Sequence, residues 1–474
     1  MTSRSPRARS VKKKGGTQEM DRISLSQIAE MAGARILQGS PEMLVSSVSK
    51  DSRTIQHGDL YVALRGENFD GNAYASDALA RGAAAVLLDS AETAHSISSQ
   101  HPVLLVENGL AALTRLAAAW RSKLKLKVVG ITGSSGKTST KDFTAAVLGS
   151  RLKVVKTSGN LNNHIGVPLS ILAASSEDEV AVWEVGMNHP GEIAPLAALI
   201  KPDCVIITNI GVAHIEHMKT RDAIALEKGM LAESVNPSGA VILVSEDDKT
   251  DSIAERSPAK VIRVGFTKGD LVAESIESDE KGTAFTIIHQ GKKYDASIPV
   301  HGSHMVQNAL LAIAAGLELG IPLASAIKAL SRAKPSGGRL EQKTRRGVLY
   351  LDDTYNANPD SMEAALHTLR QINGQGRRIA VLGKMGELGD YAAEGYQRTG
   401  TAAGKFADIL ITVGKEASAI ATSARKAGLG RIHEVEETSA AARMLEQLAR
   451  PGDIVLVKGS RSARMETLFQ HIPN

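Results

Sequence analysis

The sequence predicts an α/β protein of three domains, with a central P-loop mononucleotide-binding sheet and a C-terminal Rossmann-like sheet. Three observations predict it. The chain of 474 residues is too long for one hydrophobic core. Its apolar β-type runs alternate with helical stretches, the βαβ rhythm of parallel sheets. At Val128–Thr140 (VVGITGSSGKTST) one such run breaks into a Gly/Ser loop, followed by Lys137 and the hydroxyl of Thr138. Hydrophobic content of 43% with only 3% aromatics fits Ala/Leu/Val-rich helices over buried strands.

Residues 1–20 form a tail in which Arg4, Arg7, Arg9, Lys12, Lys13 and Lys14 face one acid, Glu19; this accounts for the whole formal net charge of +5. The tail reads as disordered, with an arm for nucleic acid or an anionic membrane as the alternative, and the neutral remainder carries no sign of a nucleic-acid surface. It lacks an apolar signal core, and no long uncharged apolar run elsewhere reads as a membrane span. Residues 21–106 form a small α/β domain, with β-like runs at Leu60–Leu64, Ala84–Leu88 and Val103–Val106 around a helical Ala75–Gly82. A middle domain, 107–333, carries the P-loop strand, further strands at Val180–Val185, Val205–Thr208 and Ala240–Val244, and a buried-type helix at Met305–Leu319. Lys334–Gly338 (KPSGG) is the strongest linker signal. After it, 334–474 restarts the alternation with strands at Val348–Leu351, Ile379–Leu382, Ile409–Val413 and Ile454–Val457 and a helix at Ser361–Arg370. The loops after those strands are expected to face a ligand. The one cysteine, Cys204, lies in an apolar run and excludes an internal disulfide, which fits a reducing cytoplasm.

The chemistry starts at the loop. Gly133 and Gly136, with Ser134 and Ser135 between them, let backbone N–H groups curl around phosphate oxygens. Lys137 supplies a point charge to the outer phosphates, and Thr138 opens a helix with its hydroxyl placed for Mg²⁺. The pattern therefore predicts an ATP or GTP site, although Ile131 stands where the usual form G-x-x-x-x-G-K-[ST] has glycine. Glu184 closes a neighbouring strand, where a carboxylate can hold Mg²⁺ together with Thr138, or can simply be a surface acid after a strand. His214 ends the next strand segment and is a candidate for a second metal; with His217 alone it is too sparse for a zinc site. Lys228 reads as an ordinary exposed helix lysine. The cluster Asp352–Ser361 (DDTYNANPDS) suits a ribose or polar substrate, with Asp360 or Ser361 expected to cap the following helix. Arg339, beyond Gly337-Gly338, is placed either to reach a phosphate or to sit on the surface.

Taken together, Thr132–Thr138, Glu184, His214, Lys228, His304-x-x-x-Asn308, Gly338-Arg339 and Asp352–Asn356 resemble the Mur ligases, ATP-dependent amide-forming enzymes of bacterial cell-wall precursor synthesis. Gly159–Pro168 (GNLNNHIGVP), Glu184–Glu192 (EVGMNHPGE), Asp353–Met362 and Val457–Glu466 are similar to the member of the series that adds D-alanyl-D-alanine. The Asp-Asn-Pro-Arg motif of the diaminopimelate-adding member is absent from the sequence. The resemblance implies a UDP-precursor-binding domain, a central ATPase domain and a C-terminal domain that closes over the site. It implies ATP and Mg²⁺ as cofactors, and UDP-MurNAc-tripeptide and D-alanyl-D-alanine as substrates joined through an acyl phosphate. It assigns Lys137, His214, Lys228 and Arg339 to catalysis. Asn308 and Asp353 join the loop residues on the nucleotide, and Thr138, Glu184, His214 and a carbamylated Lys228 hold metal. Ser52, Arg53, Asn162, Asn163, Tyr355, Asn356, Asn358 and Lys458 fall to the substrates. The chain is expected to act as a monomer. Two other readings stay open: another ligase of the superfamily, folylpolyglutamate synthase-like or of a different Mur step, and a regulatory protein that uses ATP only to close its domains.

Overall fold

The computed structural model describes residues 20–279 and 281–472; all but the last residue of the basic tail lies outside them. Two compact units are distinguished by their internal contacts. The first runs through Leu124 and takes in Ile171–Ser176; the second holds Lys125–Ser170 and Glu177 onward.

The first unit is built on a five-stranded sheet. Its strands lie in the order Arg35–Gln38, Val103–Leu105, Ala85–Leu88, Asp59–Val62 and Ser47–Ser49, parallel except for the first. Its four central strand residues Ala85–Leu88 are all buried, as a parallel strand covered on both faces requires. The Gly109–Lys123 helix belongs to this unit, whereas the sequence assigns it to the middle domain. The reason is side-chain contact: Arg115 Nε donates to Ala32 O at 2.9 Å, and Trp120 Nε1 donates to Ala174 O at 2.9 Å.

The second unit contains two sheets. The larger has nine strands, and Lys127–Thr132 lies between Val180–Glu184 and Cys204–Ile207, all parallel. The chain leaves Lys127–Thr132 toward one edge of the sheet and later continues toward the other, so a crevice forms beyond the carboxyl ends of these three strands. The far end of this sheet was not expected: Leu271–Asp279, Gly282–His289 and Lys292–Ile298 form an antiparallel meander. Their polar outward residues give a weak hydrophobic alternation. The Ser303–Glu318 helix, buried along most of its length, packs against the Lys137–Leu148 helix and supplies much of the core through Val306, Leu310 and Ile313.

The smaller sheet has six strands in the order Glu341–Arg345, Val348–Asp353, Ile454–Lys458, Arg378–Leu382, Ile409–Val413 and Ile432–Val435. All pairs are parallel except the first, an antiparallel edge that shields the sheet. Insertion of Ile454–Lys458 between Val348–Asp353 and Arg378–Leu382 sets Lys458 opposite Asp353 on one side and Leu382 on the other. Among the described residues no helix is long and apolar enough to cross a membrane.

Candidate active site

The loop after Lys127–Thr132 is tight because two glycines take conformations closed to other residues. Gly133 sits at φ +148°, and a Cβ there would lie 1.8 Å from Thr208 Oγ1; Gly136 sits at φ +81°, with Asn308 Oδ1 2.7 Å from its would-be Cβ. Between them Ser134 N donates to Asn209 O at 3.0 Å and Ser135 N to Asn209 Oδ1 at 2.8 Å. The two serine amides thus brace the loop instead of pointing at a ligand. The first-turn amides of the Lys137–Leu148 helix, which have no acceptor within the helix, are left to receive an anion. Lys137 Nζ donates to Gly133 O at 2.7 Å. Desolvation holds its ammonium below the ordinary lysine value, against the pull of Glu184.

The neighbouring strand ends supply the acid and the histidine. Glu184 is buried, with Asn162 Nδ2 at 3.4 Å from Oε2 and no hydrogen bond on Oε1. Lys141 Nζ, itself 2% exposed, lies 3.3 Å from Glu184 Oε1 and 3.7 Å from Asp142 Oδ1. Asp142 in turn accepts from Ser336 N and Oγ at 2.9 and 2.6 Å, which anchors the linker ahead of Arg339. Removing one partner of a buried ion pair leaves the other uncompensated. Lys141→Met is therefore expected to destabilise the fold by about 3 kcal/mol, read by chemical denaturation. His214 adopts φ +62° at the start of the Ile215–Met218 helix. Burial pushes its imidazole below the ordinary value, and Glu387, with Oε2 at 2.5 Å from Nδ1, opposes this.

Lys228 departs from its reading as an exposed lysine. It is fully buried, and among the described residues its Nζ has no hydrogen-bond partner. The physical reason is its register: Ile224, Lys228, Leu231 and Ala232 share the inward face of the Arg221–Glu233 helix. Its neighbour Glu227 is no partner for it, since both carboxylate oxygens accept from backbone, Gly191 N at 2.9 Å and Ile193 N at 2.8 Å. Desolvation first, then Lys137, lowers the Lys228 amine well below its ordinary value.

The C-terminal sheet presents its strand ends to the same crevice. Arg339 stacks at 3.8 Å over the Tyr355 ring and donates through Nη2 to Thr138 Oγ1 at 3.1 Å. Lys458 Nζ bridges Asp353 Oδ2 at 2.7 Å and Asn356 O at 2.9 Å. The helix cap differs from expectation: Asn358 caps Pro359–Gln371, in a capping box with Ser361. Its Nδ2 also donates to Ser135 Oγ at 3.2 Å. Asp360 instead accepts from Val212 N at 2.8 Å and from Arg398 at 3.0 Å, tying this helix to the loop of His214.

These groups surround one cavity of about 630 Å³. From the large sheet come Ser134, Ser135, Gly136, Lys137 and Thr138, then Asn162, Asn163, Glu184, His214 and Asn308. From the C-terminal sheet come Arg339, Asp353, Tyr355, Asn356, Asn358 and Lys458. Gly133 and Lys228 are buried close by without lining it, and Ser52 and Arg53 belong to the first unit. His304, which also lines the cavity, is brought down to about 4 by burial. Glu387 lines it too, as do Asn188 and Glu192 of the Glu184–Glu192 motif, and the sequence assigns none of the three a role. Among the described residues no three His, Cys, Asp or Glu side chains gather as a ready metal cage. The donor set around Thr138 and Glu184 fits Mg²⁺: a hydroxyl that Arg339 now bonds, a carboxylate oxygen, Oε1, that makes no hydrogen bond though Lys141 lies 3.3 Å from it, and room for phosphates. That ion keeps several waters and takes few protein ligands.

Comparison with known proteins gives three family matches along the chain: Mur ligase family, catalytic domain, over residues 44–121; Mur ligase middle domain over 131–316; and Mur ligase, glutamate ligase domain, over 338–461. The chain is 36% identical to the UDP-N-acetylmuramoyl-tripeptide--D-alanyl-D-alanine ligase of Bacillus subtilis, covering 96% of this chain and 99% of that protein. It is 35% identical to the ligase of the same name from Escherichia coli, covering 94% and 98%. Its structure superposes on a crystal structure of MurF from Acinetobacter baumannii with a TM-score of 0.85 at 32% identity, covering 95% and 98% of the two chains. MurF ligase from Thermotoga maritima in complex with ADP gives 0.79 at 28% identity, covering 90% and 96%. Near-complete coverage by relatives above 30% identity, together with a phosphate loop facing the strand ends of a second α/β sheet, makes the chain a member of the Mur ligase family.

Proposed function

We propose that the protein is an ATP-dependent ligase that joins D-alanyl-D-alanine to UDP-MurNAc-tripeptide in peptidoglycan precursor synthesis, working in the cytoplasm. The observation that carries this reading is the cavity where Lys137, Glu184 and His214 face Arg339, Asp353 and Lys458 from the other sheet. A nucleotide held by the first set and an amine delivered against the second would meet there, away from water.

In the proposed reaction a tripeptide carboxylate oxygen attacks the γ-phosphorus of ATP, and ADP departs. The amine nitrogen of the dipeptide then attacks the acyl carbon, phosphate leaves and the nitrogen loses a proton. Lys137 and the helix amides neutralise charge on the phosphates, and Arg339 adds a second cation where charge accumulates. Asn308 and Asp353 orient the nucleotide. Thr138 and Glu184 would hold one Mg²⁺, and His214 with a carbamylated Lys228 a second; bound there, the ions would screen the phosphate charge that repels the incoming carboxylate. Ser52 and Arg53 serve the UDP end of the precursor, and Asn162 and Asn163 its peptide. Tyr355, Asn356, Asn358 and Lys458 form part of the dipeptide pocket.

The choice of acceptor tests this. With ATP, Mg²⁺ and UDP-MurNAc-tripeptide, phosphate release is expected with D-alanyl-D-alanine and only poorly with D-glutamate, diaminopimelate or lysine. A single amino acid leaves the partners of the internal amide unsatisfied, at about 1–3 kcal/mol each, or roughly tenfold to a hundredfold in rate. A preference for a free amino acid with a shorter UDP-linked acceptor would keep the ligase class and defeat the dipeptide assignment.

A further inference from the structure

Glu387 lies in the Gly383–Gly389 loop that follows the Arg378–Leu382 strand of the C-terminal sheet. Its backbone sits at φ 58°, a conformation that a non-glycine residue keeps only where its surroundings enforce it. Two contacts do so. Glu216 N donates to Glu387 O at 3.2 Å, and Gly389, at φ +49°, packs so closely that a Cβ there would lie 2.9 Å from Glu216 Cγ. The loop is thus seated on the short helix that begins beside His214, itself left-handed at φ 62°.

The carboxylate points into the cavity, with Oε2 2.5 Å from His214 Nδ1. This is an ion-pair contact in which the oxygen lies off the N–H direction, so Nδ1 has no hydrogen bond, but an oxygen this close to Nδ1 is tolerated only if that nitrogen carries the proton. An imidazole engaged through Nδ1 has Nε2 left for whatever enters the cavity that it lines. A carboxylate on one ring nitrogen fixes the tautomer, orients the ring and makes the other nitrogen a better donor of its lone pair.

We propose that Glu387 is a positioning residue: it holds His214 as the Nδ1–H tautomer with Nε2 facing the bound substrates. His214 is then correctly set only while the Gly383–Gly389 loop is seated, so the C-terminal sheet completes a site on the central one. This rests on the ligase reading of His214.

The test uses Glu387→Ala and Glu387→Gln in the full chain. Glu387→Ala is expected to lower kcat roughly tenfold to a hundredfold, with KM for ATP and the Kd for ADP moving by less than about twofold. Glu387→Gln, whose amide oxygen can accept from Nδ1–H, is expected to recover most of that loss. Long-range ¹H–¹⁵N spectra of the imidazoles, with His214 identified by its loss in His214→Gln, should show the Nδ1–H tautomer in the wild type and Glu387→Gln, and a mixture in Glu387→Ala. An unchanged kcat or an unchanged tautomer in Glu387→Ala overturns the proposal. So does a Glu387→Gln variant as slow as Glu387→Ala, because the charge would then act on the substrates directly. If the wild type releases no phosphate with any acceptor, the ligase reading fails instead, and the tautomer spectra, which need no turnover, still decide the role of Glu387.

Discussion

Lys137→Ala is expected to lower ATP-dependent phosphate release by about a thousandfold and to leave the fold in place. The lysine lines the cavity and its one side-chain hydrogen bond goes to Gly133 O, four residues back in its own loop. No core residue depends on it. The loop is held instead by Asn209 on the two serine amides and by the close packing of Gly133 on Thr208 and Gly136 on Asn308. Those contacts survive the substitution, so the lost charge should appear in turnover and nucleotide affinity. Phosphate release with the natural substrates gives the first, calorimetric titration with ADP the second, and thermal unfolding without ligand the control. A variant that releases phosphate at the wild-type rate would remove the loop from the nucleotide site.

The difference between what the sequence revealed and what it concealed follows from where the information resides. The phosphate loop was legible because its chemistry is local: glycines, lysine and hydroxyl fall within six consecutive residues, Gly133 to Thr138, after an apolar strand. The parallel strands around it were legible because they are buried on both faces and read as continuous apolar runs, such as Ala240–Val244. The meander over Leu271–Ile298 has one wet face and short turns, and its alternation is diluted by Glu274, Glu277 and Asp279. Asp360 looked like a helix cap because acids often are; what set its role was a long-range contact with Val212 N, which no local pattern encodes. Glu387 was hidden for the same reason, since its meaning comes from His214 across the crevice. Its loop nevertheless carried a signal in the closely spaced Gly383, Gly386 and Gly389 directly after a strand. Lys228 carried one as well, sitting four residues after Ile224 and three before Leu231 in an otherwise inward-facing stripe.

Lys228→Ala is expected to be nearly inactive, by about a thousandfold, and to regain part of its rate when a small carboxylic acid such as acetate is added. The argument starts from the cost of burying an ammonium without a counter-ion, which drives the group to its neutral form. Among the described residues Nζ has no hydrogen-bond partner, Glu227 is occupied by two backbone amides, and Lys137 contributes repulsion. A neutral amine is the form that adds to carbon dioxide: the nitrogen lone pair bonds to carbon, a proton is released, and the lysine becomes a carbamate anion. That change would replace a repelled cation with a carboxylate-like group beside Lys137 and would add an acid to the second metal position proposed with His214. Alanine leaves a space of the right kind for acetate to restore that charge. With ¹³C-labelled carbon dioxide, the wild type should show a carbamate carbon resonance that Lys228→Ala lacks. The folding control points the same way: because no native ion pair is broken, Lys228→Met should be no less stable than the wild type without added bicarbonate. Full activity of Lys228→Ala without acetate, or the absence of the carbamate signal in the active wild type, would leave the buried amine without a catalytic role.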